Sequence, residues 1–316
     1  MDTTVAVTRC ETYESQAVAE AIARQFELLG GVERFVKRGD SVLIKPNFIA
    51  PRSRRHATQT HPSVILELAR LLKDFGAKPF VGDSPAWNNV FTCVKKLKLD
   101  KDLAKLGVPV KQLNRPKWCK VSERNRKVGI SSAVLEADVI INLPKFKAHQ
   151  QLVATFAVKN MFGCVAGKRK ALWHFTRGKT EDFCELLIEI YKHLAPALTI
   201  IDGVQAMDRG GPIHGRTRKL GWLIAGQDPI ACETVCGELV NIKPEDLPVV
   251  RTAKAMNFGC NDRKKIQTLG DDYSKNITAD FQLPDLVPVR FSLLHVCKSV
   301  CKQIILLAKG KTGSQK

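Results

Sequence analysis

Several short segments of this 316-residue chain put chemically capable polar side chains where apolar strand patterns stop. Lys45-Pro46-Asn47 follows one β-branched run, Gly82-Asp83-Ser84 follows a second, and Asp202-Gly203 ends the run LTIID. A further run, DVIINL, continues into Pro144-Lys145-Phe146-Lys147-Ala148-His149. In open parallel α/β sheets, ligands bind beyond the carboxyl ends of the strands, where loops and helix N-termini converge. Lysine at such a place holds anions, asparagine and serine fix orientation, and aspartate or histidine moves protons. The repetition points to one site for a small anionic substrate, with Lys45, Asn47, Asp83, Ser84, Lys145 and Lys147 as contacts.

The segment PKFKAHQQLVATFAVKNMFG carries the most specific pattern. A helix expected over 152–162 sets Thr155 and Lys159 four apart on one face, with Asn160 beside them. A lysine in so apolar a turn is partly desolvated, which lowers its pKa and makes it a usable base or nucleophile. His149, in the loop before that helix, is suited to proton transfer near neutral pH. Lys159, His149 and Asp202 are thus the expected catalytic set, with Asn160 a substrate contact. Blander readings stand beside these: Lys159 as a snorkelling surface lysine, and His149 as a hydrogen bonder at the start of the helix. Residues 208–216, DRGGPIHGR, form a glycine-rich loop whose backbone can approach an anion, with Arg216 adding charge. A plain turn reads equally well, and the loop is neither a P-loop nor a GxGxxG fingerprint.

These residues need a scaffold, and the pattern supplies one. Strands are expected over 4–8, 41–45, 78–82, 138–143, 198–202 and 221–226, with a hairpin across 119–131. Helices are expected over 15–29, 63–75, 90–97, 181–194, 229–240 and 247–257. The alternation gives an α/β class of two lobes, with largely parallel sheets flanked by helices. Residues 1–285 form the body, with a lobe boundary near 85–135, and 286–316 form a basic amphipathic tail.

Formal net charge is +19, and residues 95–127 hold twelve Lys or Arg against three acids, so the excess is partly local. That favours anionic partners or a merely solvated face. Aromatics are 7% of residues and Trp118 is the lone aromatic in the basic stretch, which argues against nucleic acid. Ten cysteines show no CxxC spacing and read as buried thiols. The first residues lack a signal-peptide pattern and no apolar run reaches membrane-spanning length, so a cytoplasmic location is expected. A helix over 291–307, apolar on one side with lysines around it, offers peripheral membrane contact or docks on the body. The oligomeric state is left open.

KPN after a strand, THP opening a helix, GDS, INLPKFKAH…VKNMFG, IDGVQAMDRGGPIHG and DPIACETV resemble the blocks of the domain-of-unknown-function family 362. The likeness covers about residues 4–260. Many relatives carry a four-iron ferredoxin module, but this chain lacks its cysteine run, so no iron–sulfur cluster is expected. A more distant resemblance joins His149, Lys159 and His174 to the nickel-pincer lactate racemase family. That resemblance implies Lys159 as cofactor tether, His149 as acid/base and His174 as metal ligand, so a divalent metal is the cofactor it admits. The second acid/base histidine of that family falls near Asp83-Ser84 here, a departure from its pattern. The expected function is a small-molecule enzyme using acid/base chemistry on a carboxylate or phosphorylated substrate in an inter-lobe cleft. The alternatives are a nucleic-acid or anionic-surface binder using 95–127, or a metal-carrying accessory protein.

Overall fold

The computed structural model describes residues 1–122, 127–167, 170, 173 and 179–288. Within them the strands are β1 (Val5–Arg9), β2 (Ser41–Pro46), β3 (Lys78–Asp83), β4 (Val110–Gln112), β5 (Pro116–Lys120) and β6 (Lys127–Ser131), then β7 (Val139–Leu143), β8 (Lys145–His149), β9 (Val153–Thr155), β10 (Leu198–Asp208), β11 (Arg216–Gly226) and β12 (Thr268–Gly270). The helices are α1 (Ser15–Leu28), α2 (Pro62–Phe75), α3 (Val90–Lys96), α4 (Asp100–Lys105), α5 (Ser132–Leu135), α6 (Thr180–Leu194), α7 (Pro229–Leu239) and α8 (Pro248–Ala255).

A ten-stranded sheet runs β12-β1-β11-β10-β7-β2-β3-β4, and β8 joins it by pairing with β10 and β9. Strands β4, β3, β2, β7 and β10 are mutually parallel, whereas β11 lies antiparallel to both β10 and β1. The β5–β6 hairpin, inside the stretch 85–135, stands apart as a two-stranded sheet. Because successive strand side chains point to opposite faces, each buried strand feeds two cores. Val42, Ile44, Ile141, Ile200 and Leu223 pack under α1, α2 and α3. Leu43, Ile140, Ile201 and Ile224 pack under α6, α7 and α8. The result is a three-layer α/β body with a mostly parallel sheet.

Start and stop signals act as expected at α2, where Pro62 opens the helix behind the His61 cap and Gly76, at φ 98°, closes it. The segment 152–162 departs from expectation. It is not one helix but the short strand β9 followed by a 3-10 turn, Val158–Cys164. Val153 adopts a φ of 64°, which ends helical geometry there, and β9 pairs with β8 in the register Lys147↔Thr155. Tertiary strand pairing outweighs local helix preference in this case. His149, read above as part of a loop, belongs with Lys145 to a fully buried strand for the same reason. Asp202 lies inside β10, which runs on to Asp208 past an irregularity between Gly203 and Gln205, so it is not a strand end. No helix among the described residues is long and apolar enough to cross a membrane. The expected helix over 291–307 lies outside the described residues.

A buried lysine cluster as the candidate functional site

Strand β8 alternates Lys145-Phe146-Lys147-Ala148-His149. Phe146 and Ala148 face the core, so the two lysines and His149 leave from the opposite face. All three are buried, and none of this alternation depends on a helix. At one end, Lys145 Nζ pairs with Asp202 Oδ2 at 2.8 Å. It also donates to the Tyr13 hydroxyl at 2.6 Å, and Tyr13 in turn donates to Asp202 Oδ1 at 2.8 Å. The His61 amide donates to Asp202 Oδ2, and the His61 ring stacks on Tyr13 with centroids 3.5 Å apart. Burial pushes the Lys145 ammonium down, with Asp202 opposing it, and it pushes Tyr13 well up. The ring of His61 is lowered to about 4 by burial, so it is neutral at physiological pH.

At the other end, Lys45 at the close of β2 pairs with Asp83 at the close of β3, 2.8 Å apart and almost wholly buried. Asp83 is saturated further by the amides of Phe48 and Ser84 at 2.7 Å each. Gly163 lies directly above this pair. A β-carbon there would sit 2.5 Å from Asp83 Oδ1 and 2.7 Å from Lys45 Nζ, so the glycine is required by close approach. Lys170 Nζ donates to the carbonyl of Ser84. Burial lowers Lys170 to about 8, Asp83 opposing and Lys45 assisting.

Between the two ion pairs sits Lys147. Its Nζ donates to Asn47 Oδ1 at 2.5 Å and to the Thr58 carbonyl at 3.1 Å, both neutral acceptors. Burial holds Lys147 well below the ordinary lysine range, and Lys159, Lys145 and Lys45 add repulsion that Asp83 only partly offsets. Lys159, half-buried on the 3-10 turn, has no hydrogen-bond or ion-pair partner among the described residues. Burial, then Lys170, lowers it to about 8.

Asparagines tie the strand ends together. Asn47 Nδ2 donates to Asn160 Oδ1 at 2.9 Å, and Asn160 Nδ2 donates to the Lys45 carbonyl and to Asn142 Oδ1. Asn142 donates onward to the Ala157 carbonyl and to Thr199. His149 lies one strand repeat beyond Lys147, and its Nδ1 accepts from the Gln151 amide, so the neutral ring carries its proton on Nε2.

Lys45, Asn47, Asp83, Ser84, Lys147 and Asn160 are thus joined by hydrogen bonds and an ion pair, Lys145 and Asp202 form a second group, and Lys147 feels the charges of Lys145 and Lys159 as well as of Lys45. Arg216 has its bonded partner outside this group. At the foot of β11 it grips the buried Asp208 through Nε and Nη2, at 3.1 and 2.6 Å. His174 lies outside the described residues, and no group of three His, Cys, Asp or Glu among the described residues is arranged to hold a metal. Sequence reasoning missed Tyr13, His61, Asn142 and Lys170. Asn142 carried a signal, being polar inside an apolar strand; Lys170 carried none.

A family model described as a domain of unknown function, DUF362, matches residues 42–238. A thylakoid-associated protein of Synechocystis is 34% identical over 305 residues, covering 96% of this chain and 94% of that protein. Among solved structures, the lactate racemase apoprotein from Thermoanaerobacterium thermosaccharolyticum is similar with a TM-score of 0.46 at 13% identity, over 76% of this chain and 57% of its own. A Thermotoga maritima protein gives 0.45 at 13%, over 72% and 59% respectively. The chain therefore spans less than two thirds of either solved structure, and nothing about chemistry follows from likeness at that level. The match over more than half the chain, together with the Synechocystis relative, places the protein in the DUF362 family.

Proposed function

We propose that the lysine cluster binds a small carboxylate or phosphorylated molecule and performs acid/base chemistry on it. The observation that carries this is charge imbalance: among the described residues five lysines face two aspartates, and each aspartate is already paired. A buried ammonium without a counter-ion is costly, so this arrangement favours an anion beside Lys147, Lys159 and Lys170. An arriving anion stabilises their protonated forms, so binding takes up protons. Lys159, half-buried and with no hydrogen-bond or ion-pair partner among the described residues, is the residue placed to exchange a proton with the substrate, with His149 as its complement. Asp202 serves by fixing Lys145 and Tyr13 rather than by moving protons. The test is thermal unfolding in inorganic phosphate or malonate against chloride at equal ionic strength. Stabilisation by the oxyanions, absent in Lys147→Met, supports the reading; equal curves in chloride and phosphate would refute it.

A second reading rests on exposed aromatics beside the basic stretch: Phe91 is 55% and Trp118 61% exposed. Lysines around an aromatic suit an anionic membrane surface, and the Synechocystis relative is described as thylakoid-associated. Co-sedimentation with phosphatidylglycerol vesicles, abolished by Phe91→Ser with Trp118→Ser, tests it.

A further inference from the structure

Helix α7 is buried almost throughout, yet it carries a carboxylate, Glu233, only 1% exposed. Oε1 of Glu233 accepts from the amides of Ala157 and Val158, at 3.1 and 2.9 Å. Its other oxygen, Oε2, is buried with no hydrogen-bond partner among the described residues. Those amides begin the 3-10 turn Val158–Cys164, which bears Lys159 and Asn160. A turn of this kind leaves its first N–H groups without intrahelical partners. The usual remedy is a local Ser, Thr, Asp or Asn cap, but the cap position here is Ala157, which has no side chain able to accept. Glu233 supplies the missing acceptor from a different element.

We infer that Glu233 is a positioning residue, capping the lysine-bearing turn from α7 and so fixing where Lys159 and Asn160 stand. The inference rests on the proposed anion site only for what Lys159 does there. The other titratable groups facing Glu233 are Cys184, Cys232, Cys236 and Tyr191, all pushed upward by burial and therefore uncharged near neutral pH. No cation among them competes for the carboxylate, so among the described residues the backbone amides are its sole strong partners. Burial correspondingly raises Glu233 to about 7, the two amides opposing. Glutamine reproduces the acceptor without the charge, whereas aspartate withdraws it by one methylene and breaks bonds of this length.

The experiment compares Glu233→Gln, Glu233→Asp and Glu233→Ala by two readouts that need no ligand. One is the pH dependence of acetic-anhydride labelling at Lys159, read by mass spectrometry of its peptide. The other is amide exchange across 157–162. Wild type and Glu233→Gln should share a labelling midpoint at about 8. Glu233→Asp and Glu233→Ala should raise that midpoint by about one unit or more, toward the ordinary lysine value, with exchange in the turn about tenfold faster. Should Glu233→Ala fail to fold, Glu233→Asp carries both readouts alone. Unchanged labelling and exchange in Glu233→Asp, or a Glu233→Gln variant as disturbed as Glu233→Asp, would overturn the inference. Absence of phosphate binding in wild type would instead defeat the anion-site reading, leaving these readouts untouched.

Discussion

Lys145 and Lys147 leave the same face of β8 two residues apart, yet among the described residues only Lys145 meets a carboxylate. Both are buried to the same degree. Lys147 therefore bears a desolvation cost that, for Lys145, Asp202 offsets.

The first prediction follows from that cost. Lys147→Met should shift melting temperature by no more than a few degrees, since the relief of about 1–3 kcal/mol on removing a buried ammonium is offset by the acceptors of Asn47 and Thr58 left without their donor. Oxyanion stabilisation should vanish in the same variant. A large loss of stability, read by thermal unfolding, would make Lys147 a structural residue.

The Lys45–Asp83 pair should behave differently. Asp83→Asn leaves a buried ammonium without its partner and should destabilise by about 3–5 kcal/mol in denaturant unfolding. Gly163→Ala should cost about 1–3 kcal/mol by wedging a methyl against the same pair. Near-neutral results at both positions would show the pair to be dispensable.

How much of this was legible in the sequence depends on the element. Strands β2, β3 and β7 and helices α1, α2 and α6 were readable because apolar period and capping residues agree locally. Thus Lys45, Asn47, Asp83 and Lys145 could be named as one group from their places in the chain. The turn bearing Lys159 was not readable as such. VATFAVKNMF has helical character, and only pairing of β9 with β8 and the cap from Glu233, 75 residues away, make it a strand and a turn. Asp202 was seen but misplaced, because β10 continues through it. Tyr13 and His61 were missed because their partners lie 189 and 141 residues distant. Arg216 was grouped with the site by the glycine-rich loop beside it, while its actual partner is the nearby Asp208.

The neutral state of His61 gives a pH prediction. The ring accepts from the Ser63 amide at Nδ1 and stacks on Tyr13, and its pKa is lowered from 6.5 to about 4. Between those values the unfolded chain binds the proton that the folded chain refuses. Stability is therefore fully present above about 6.5 and declines as pH falls toward 4, by up to about 3 kcal/mol. His61→Asn, which retains a helix cap, should flatten this part of the stability–pH curve. A variant curve parallel to wild type would contradict the assignment.

Lys159→Met should fold normally, because the lysine has no hydrogen-bond or ion-pair partner among the described residues, and shift melting temperature by no more than the few degrees equivalent to about 1 kcal/mol. It should nevertheless weaken oxyanion binding. Unimpaired binding would place Lys159 outside the site.

The most direct measurement is titration calorimetry of the wild-type protein with inorganic phosphate from pH 6.5 to 9.5, repeated in buffers of different ionisation enthalpy. Lys159 and Lys170 lose their protons at about 8 in the free protein. Affinity should therefore fall as pH rises through that value, with net proton uptake on binding around it. Binding that is absent, or that neither changes across pH 8 nor takes up protons, would contradict the lysine cluster as an anion site.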